Sequence, residues 1–542
     1  MSKRIYHNGT VLTSDKSHPF AKAVLTEDGI IKQVIYDSAE DIVSSYPDAE
    51  PFDLEEGTLV PGFVDAHSHF LSTPRELRQL NAAASPLGES NSIEELIASL
   101  KRQLAEGRFD AEDYLYAVGY DEAVYPDHAL PTKYDLDKVT DKPLALMHIS
   151  GHNTVFNSAA LKLAGIIDDY TPPEDGSVGR FEDGTLTGIF YENARRDVLP
   201  KRETNVGQLI RDGLDEALLK YISEGVTTAQ DAATGPEEYR TAKALAAEGR
   251  FPIDIVSYLF GETASLLSDK SVREYSGHYR AQGCKLFLDG SPQAKTAWLS
   301  KPYHHTLKGQ PDDYRGYGIY TDEQLQKLID NAIANRWQIN IHTNGDKAIE
   351  QLIRVLGKAS EKYPYLAQTR PVSIHCQTVR SDQLDRIKRL DILVSFFVDH
   401  VYYWGDYHYS EILGPERAER ISPLGEALEK GISFTTHQDT PVTKQSPLFA
   451  IHNAVNRITR SGKILGEKYR ITPLDALRAV TINAAYQLFE ENIKGSIEPG
   501  KYADFALLDR DITEIPNWEI KDTVVLKTIK QDKVIFSRKQ VR

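Results

Sequence analysis

PGFVDAHSHF, residues 61–70, decides how the rest of this chain is read. It follows the apolar run Thr58-Leu59-Val60 and a Pro-Gly break, and it sets His67 and His69 on alternate positions. In an extended segment, side chains two apart point the same way, so both imidazoles can reach one point. A converging pair of imidazoles where a strand ends is half of a metal site.

Compact apolar runs recur downstream: GVTTAQD (225–231), FPIDIVSYLF (251–260), CKLFLD (284–289) and WQINIHT (337–343). RPVSIHC (370–376), DILVSFF (391–397) and GISFTTHQD (431–439) continue the series, and the run at 58–64 makes eight. Amphipathic helices separate several of them. In TDEQLQKLIDNAIANR, Thr321 and Gln324 form a capping box, and Leu325, Leu328, Ile329, Ala332 and Ile333 recur at helical spacing. In TPLDALRAVTINAAYQLF, Thr472 is a natural N-cap with Pro473 at the first helical position. Strands alternating with helices build parallel sheets, and eight such units suggest an α/β fold closed as a (β/α)8 TIM-like barrel.

Residues 71–222 hold far more chain than one crossover helix needs, including SIEELIASLKRQLAE and the strand-like PLALMHIS, and are expected to form an inserted subdomain above the barrel mouth. Residues 290–318, rich in Gly, Pro and Tyr, read as a long functional loop. Both ends of the chain alternate apolar and polar positions around turn signals such as Asn8-Gly9 and Gln531-Asp532. The expected organisation is a small β-sandwich-like domain from residues 1–57 and 491–542, and a barrel over 58–490.

Polar residues fall at the ends of successive runs: Lys285 inside CKLFLD, His342 ending WQINIH, His375 ending RPVSIH and Asp439 after GISFTTHQ. In such barrels catalytic groups come from the carboxyl ends of several strands. Any one of these histidines alone would pass for a structural residue; their recurrence on successive strands is the signal. Lys285 could instead lie at the surface, or pair unmodified with Asp289 beside a mononuclear site. Asp65 is expected to orient a ligand or hold the loop, and Asp346 to cap the following helix.

Composition bounds the function. With 41% hydrophobic and 26% charged residues the chain is an ordinary globular enzyme, and its net charge of -16 opposes nucleic acid or an anionic membrane as partner. Two cysteines, Cys284 and Cys376, imply no disulfide framework. Neither an amino-terminal signal-type segment nor an apolar run long enough to span a membrane occurs, so a soluble cytoplasmic protein is expected.

Taken together, the HxH after PGFVD, the K-x-F-x-D-G at 285–290, the H-x-x-G-D at 342–346, the IH at 374–375 and the D-T-P at 439–441 resemble the amidohydrolase superfamily of metal-dependent hydrolases. Within it the chain is most similar to the amidohydrolase-3 (YtcJ-like) branch, which includes N-substituted formamide deformylases. GVTTAQD and PGKYADFALLD resemble that family's second barrel strand and its return into the terminal β domain. The resemblance implies that His67 and His69 bind a buried divalent metal, expected to be zinc, and that His342 and His375 bind a second. It implies a carboxylated Lys285 bridging two ions, and Asp439 as both ligand and general base. The metals would lower the pKa of a bridging water. The activity so implied is hydrolysis of a C–N bond in a small amide, N-formyl or cyclic amide substrate, with a homodimer as the family-level expectation. A metal-dependent deaminase or ester hydrolase is the alternative; an inactive binding protein is opposed by the intact set of ligand-type residues.

SGHNTVFNSAAL resembles the family's G-H-x-x-x-x-N-S stretch, so His152 is a candidate for substrate binding. Asp289, Asn344, His400 and His437 join it as candidates. Tyr191 and Glu192 match a family stretch of underived role, and His304, His305, Tyr402, Tyr403 and Trp404 could wall the pocket. Where the family usually reads S-D-A-P, this chain has His437-Gln438-Asp439-Thr440-Pro441, which sets His437 beside the expected base.

Overall fold

The computed structural model describes residues 3–37, 42–126, 128–174, 176–200, 206–306 and 310–539. At its centre eight parallel strands lie side by side in chain order: β1 (Phe63–Val64), β2 (Val226–Thr234), β3 (Asp254–Leu259), β4 (Tyr279–Phe287), β5 (Gln338–Thr343), β6 (Val372–His375), β7 (Leu393–Phe396) and β8 (Phe434–Thr436). The sheet curls, as the (β/α)8 expectation requires.

Its logic shows in β5. Ile339 and Ile341 pack outward into the main core with Leu325, Ile329, Leu352 and Val355 of the flanking helices, while Asn340 and His342 alternate with them. Burying each isoleucine contributes roughly 1.5–3 kcal/mol. The helix Asp322–Ala334 starts at the expected Thr321/Gln324 capping box, and Thr472 caps Pro473–Ala479 through the Asp475 N–H. One residue departs from the pattern: Leu328 is exposed, because the face turned to the sheet takes only Leu325, Ile329, Ala332 and Ile333.

No ladder joins β1 to β8 among the described residues. The seam between them is filled by residues 480–487. The Val64 N–H donates to Val480 O (2.9 Å), and Asn483 donates to Phe434 O (2.8 Å). Gln487 spans both sides, donating to Ala66 O (2.7 Å) and accepting from the Thr435 hydroxyl (2.9 Å).

The apolar run at 58–64, expected as one barrel strand, is divided. Thr58–Pro61 pairs antiparallel with Phe505–Leu508 in a six-stranded sheet that joins amino- and carboxy-terminal strands, and only Phe63–Val64 enters the barrel. Gly62 makes the break; a Cβ there would come within 2.4 Å of the Thr227 side chain. A four-stranded sheet holds the remaining amino-terminal strands. Residues 80–192 carry a third, six-stranded sheet that includes Leu115–Tyr120, Leu144–His148, Asn153–Phe156 and Leu186–Glu192. Between Phe287 and Asp322 there is neither helix nor strand among the described residues.

A buried ionic cluster ties β3 to the carboxy-terminal segment. Asp254 accepts from Lys494, from Lys530 (2.6 Å) and from His278 (2.7 Å), and Lys530 also reaches Asp504 (2.7 Å). No helix among the described residues is long and apolar enough to cross a membrane.

Candidate metal centre

The carboxyl ends of the barrel strands bring His67, His69, Lys285, His342, His375 and Asp439 together. His67 Nε2 and His69 Nε2 lie 3.3 and 3.5 Å from Asp439 Oδ1, and His375 Nε2 lies 3.2 Å from His342 Nδ1. Two donors, each about 2.0–2.1 Å from one tetrahedral ion, stand roughly 3.3 Å apart. The donor atoms of His67, His375 and Asp439 all fall within 4.8 Å of one another.

The outer nitrogens explain why the inner ones are bare. His67 Nδ1 faces Gln230 Oε1 (2.9 Å), His69 Nδ1 faces Ala232 O (2.9 Å), and His342 Nε2 faces Gly290 O (3.1 Å). Each of these oxygens can only accept, so a neutral ring there carries its proton outward and turns a lone pair to the centre; at His69 burial works against charge, but Asp439 outweighs it and raises the pKa. Burial, reinforced by Lys285, pushes His67 and His342 well below the usual histidine range, which keeps them in the neutral form a metal requires. Burial and then His342 do the same to His375. Facing them, Asp439 Oδ1 is buried and receives no hydrogen bond. Burial works to raise the Asp439 carboxyl, but His375, His69 and His67 hold it well below the ordinary carboxylate value. Acceptors converging on one point, with the Lys285 amine as the donor among them, fit a divalent cation once that amine gives up its proton.

Lys285 sits inside this ring. It is 1% exposed, and its Nζ is 3.2 Å from His67 Nε2. Burial lowers its pKa to about 7, against only a partial opposing pull from Asp439. The pairing with Asp289 weighed from sequence does not form. Asp289 instead clamps backbone, accepting from the N–H groups of Trp298 (3.0 Å), Asn344 (3.0 Å) and Gly345 (2.7 Å). Its burial raises it to about 7 even so. His375 and Asp439 hold left-handed backbone, with φ of 70° and 55°. Such strain in non-glycine residues persists only where surrounding structure enforces it.

A cavity of about 2170 Å³ opens above the ring. His69, His152, Glu192, Phe260, Phe287 and Tyr317 are among its walls, so it runs from the barrel mouth to the 80–192 sheet and the 288–321 segment. His152 stands in it with its ring centroid 5.8 Å from that of His342, and its Nδ1 meets Glu192 Oε1 at 3.0 Å. Tyr317 donates to the same oxygen (3.2 Å), and Arg195 donates to Glu192 O (2.9 Å). Burial works to raise the Glu192 carboxyl, and His152 brings it below its ordinary value.

The remaining candidates lie elsewhere. Asn344 is buried and donates to Gly290 O (2.9 Å), bracing the carbonyl that holds His342. His400 is buried between Phe397 and Trp404 and hydrogen-bonds His408 (3.0 Å). His437 is 1% exposed and sits behind His375 instead of facing the cavity. His304, His305, Tyr402, Tyr403 and Trp404 are not among the walls; Trp404 donates to Asp121 (2.8 Å). Asp65 accepts from the His67 N–H (3.3 Å), holding the loop as expected. Asp346 opens its helix but does not cap it: Gly345 is the N-cap, and the carboxylate takes Ser300 N–H (2.8 Å) and Arg380 (2.9 Å). Gln230, Ser395, Arg195 and Tyr317 were not singled out from sequence. Gln230 alone carried a signal, as the lone amide side chain in the strand VTTAQDAAT.

Residues 50–536 match the amidohydrolase family. The chain belongs to that family. The putative amidohydrolase YtcJ of Bacillus subtilis (strain 168) is 26% identical over 99% of this chain and 100% of its own length. The N-substituted formamide deformylase of Arthrobacter pascens is 26% identical over 96% of each chain. The crystal structure of an uncharacterized metal-dependent hydrolase from Pyrococcus horikoshii OT3 superposes with a TM-score of 0.73 at 25% identity, over 95% of this chain and 99% of that one. This amidohydrolase-family chain is thus a metal-dependent hydrolase acting on carbon–nitrogen bonds.

Proposed function

We propose that this amidohydrolase-family protein hydrolyses the C–N bond of a small amide, N-formyl or cyclic amide taken into the cavity above His69 and His342. The observation that carries the reading is the convergence of His67 and His69 on the buried Asp439 oxygen, their outer nitrogens facing acceptor oxygens, with His375 close by and against His342. His67, His69 and Asp439 would hold one ion, and His342 and His375 a second. The nitrogen-rich donor set suits zinc. When bound, the metal supplies a water activated near neutral pH and polarises the substrate carbonyl.

The chain's own groups do the rest. Lys285, with its pKa near 7, is available as a neutral amine around neutral pH. Its Nζ lone pair can bond the carbon of carbon dioxide and release one proton, turning the neutral amine into a carbamate anion whose oxygens would be available to a metal. Asp439 Oδ1 takes the proton of the attacking water and passes it to the departing nitrogen. His152, held by Glu192, is placed to hydrogen-bond the substrate oxygen from the cavity side. Phe260 and Phe287 keep that side of the site apolar. We read residues 1–61, four beyond the boundary expected from sequence, with 491–542 as a composite β domain, and 71–222 as an insertion that shapes specificity.

The test is a panel of N-formyl amines, N-acyl amines and cyclic amides, with release of free amine as readout on metal-loaded protein. Amine release that tracks metal content supports the reading. Purified protein without stoichiometric divalent metal, or loaded protein that releases ammonia from aminated rings but no amine from any amide, would overturn it.

A further inference from the structure

Behind His375 lies an arrangement that none of the other three metal-facing imidazoles has. The outer nitrogens of His67 and His69 meet oxygens that can only accept, and that of His342 meets the Gly290 carbonyl (3.1 Å) with the Asn344 amide nitrogen beside it (3.0 Å). His375 Nδ1 meets another imidazole, His437 Nε2, at 3.1 Å. His437 Nδ1 in turn lies 2.8 Å from the Ser395 hydroxyl. All three residues are buried: Ser395 is fully enclosed, His437 1% exposed and His375 3% exposed. His437 thus stands behind His375 and outside the cavity walls, although its place two residues before Asp439 suggested a substrate contact.

An imidazole can bind a metal through Nε2 only when its proton sits on Nδ1. For His375 the matter is open in a way it is not for His67 and His69, because His437 could either accept a proton from Nδ1 or donate one to it. If His437 donated, His375 would point an N–H at the centre, and His342 Nδ1, 3.2 Å away, would accept it. Serine can serve either direction, so Ser395 must accept from His437 Nδ1–H for the productive arrangement to hold.

We propose that His437 is a positioning residue that accepts the Nδ1 proton of His375 and passes its own Nδ1–H to Ser395, and so fixes the metal-binding tautomer of His375. The inference rests on His342 and His375 holding an ion, as proposed above. Ser395 and His437 then form a two-membered brace that sets the affinity of the ion on the His342/His375 side and leaves the His67/His69/Asp439 side untouched.

The experiment titrates zinc into chelator-stripped wild type, His437→Leu, His437→Gln and Ser395→Ala in competition with a chromophoric chelator. Outer-shell partners of metal ligands are worth 10–100-fold in metal affinity. His437→Leu should lose about that factor for one ion and keep the other. His437→Gln can still offer an acceptor oxygen near the Nε2 position and should stay within a few-fold of wild type. Ser395→Ala should fall between them. Nitrogen-15 shifts of zinc-loaded wild type should report His375 protonated at Nδ1, a signature that mere packing would not produce. Melting of the metal-free variants identifies misfolding: if Leu melts with wild type, an affinity loss belongs to the hydrogen bond. Equal affinities in wild type and His437→Leu, or a Gln variant as weak as Leu, would overturn the proposal. So would a His375 proton at Nε2. Failure of wild type to bind any zinc would instead strike the functional reading on which this one stands.

Discussion

Replacing Lys285 by methionine should stabilise the metal-free protein and cripple the metal-loaded one. Lys285 is enclosed by the barrel, and burial lowers its pKa from 10.5 to about 7. A base whose folded pKa lies below its unfolded value costs stability in full below the folded value. The cost shrinks as pH rises between about 7 and 10.5, and it is gone above that. At pH 7 the displacement is worth about three decades of proton affinity, or ~4 kcal/mol, and at pH 9 about ~2 kcal/mol. Methionine has a similar length and no charge, so it removes this cost while filling the same space. Urea unfolding followed by tryptophan fluorescence, in chelator and carbon-dioxide-free buffer, should show Lys285→Met more stable than wild type. The gap should narrow by about half from pH 7 to pH 9. With zinc and bicarbonate present the order should reverse if Lys285 carries the carbamate proposed above, because methionine offers a metal no oxygen. A metal-free variant less stable than wild type at pH 7, or a gap indifferent to pH, would refute the reasoning.

Other outcomes follow from the same geometry. Asp254→Ala leaves Lys494 with Glu490 and Lys530 with Asp504 as sole carboxylate partners and should cost roughly 1.5–3 kcal/mol in urea unfolding at pH 7. Burial raises the Asp254 carboxyl, but Lys494, Lys530 and His278 hold it well below 3.8. Its contribution is therefore present above the ordinary carboxylate value and lost as pH falls through the depressed one, so wild type and variant should converge only in strong acid. Gln230→Leu removes the acceptor for His67 Nδ1 and should weaken zinc by about 10–100-fold in chelator competition, with the melting temperature of the metal-free protein little changed. Asp439→Asn should lower kcat by about 10²–10⁴-fold on any amide found to be a substrate, while circular dichroism stays that of wild type.

Much of the fold was legible because period and capping speak locally. Seven of the eight apolar runs, the Thr321/Gln324 box and the Thr472 cap lie where the residues alone put them. The division at Gly62 was not legible, since the run at 58–64 is uniformly apolar and the break depends on Thr227, far away in sequence. At the site, the donors were readable from recurrence at strand ends. Their supports were not. Two of the acceptors are the backbone carbonyls of Ala232 and Gly290, which leave no trace in residue identity. Asp289 looked like a mouth residue because it follows the strand of Lys285, yet three backbone N–H groups draw it inward. Proximity in sequence likewise misread His437, whose side chain turns toward β6 and β7.

The unpaired seam between β1 and β8 has a bearing on which ion the protein accepts. His67 and His69 stand on one side of it and Asp439 on the other, so the width of the gap works as a gauge for the bite of these donors. Elsewhere in the sheet that spacing is fixed by ladder hydrogen bonds. Here it is set by Gln487, spanning from Ala66 to Thr435, and by the helix that carries it. The calibre of the metal seat is thus written partly in a carboxy-terminal segment that supplies no ligand. Altering Gln487 offers a way to retune the preference between smaller and larger cations while every donor atom stays in place.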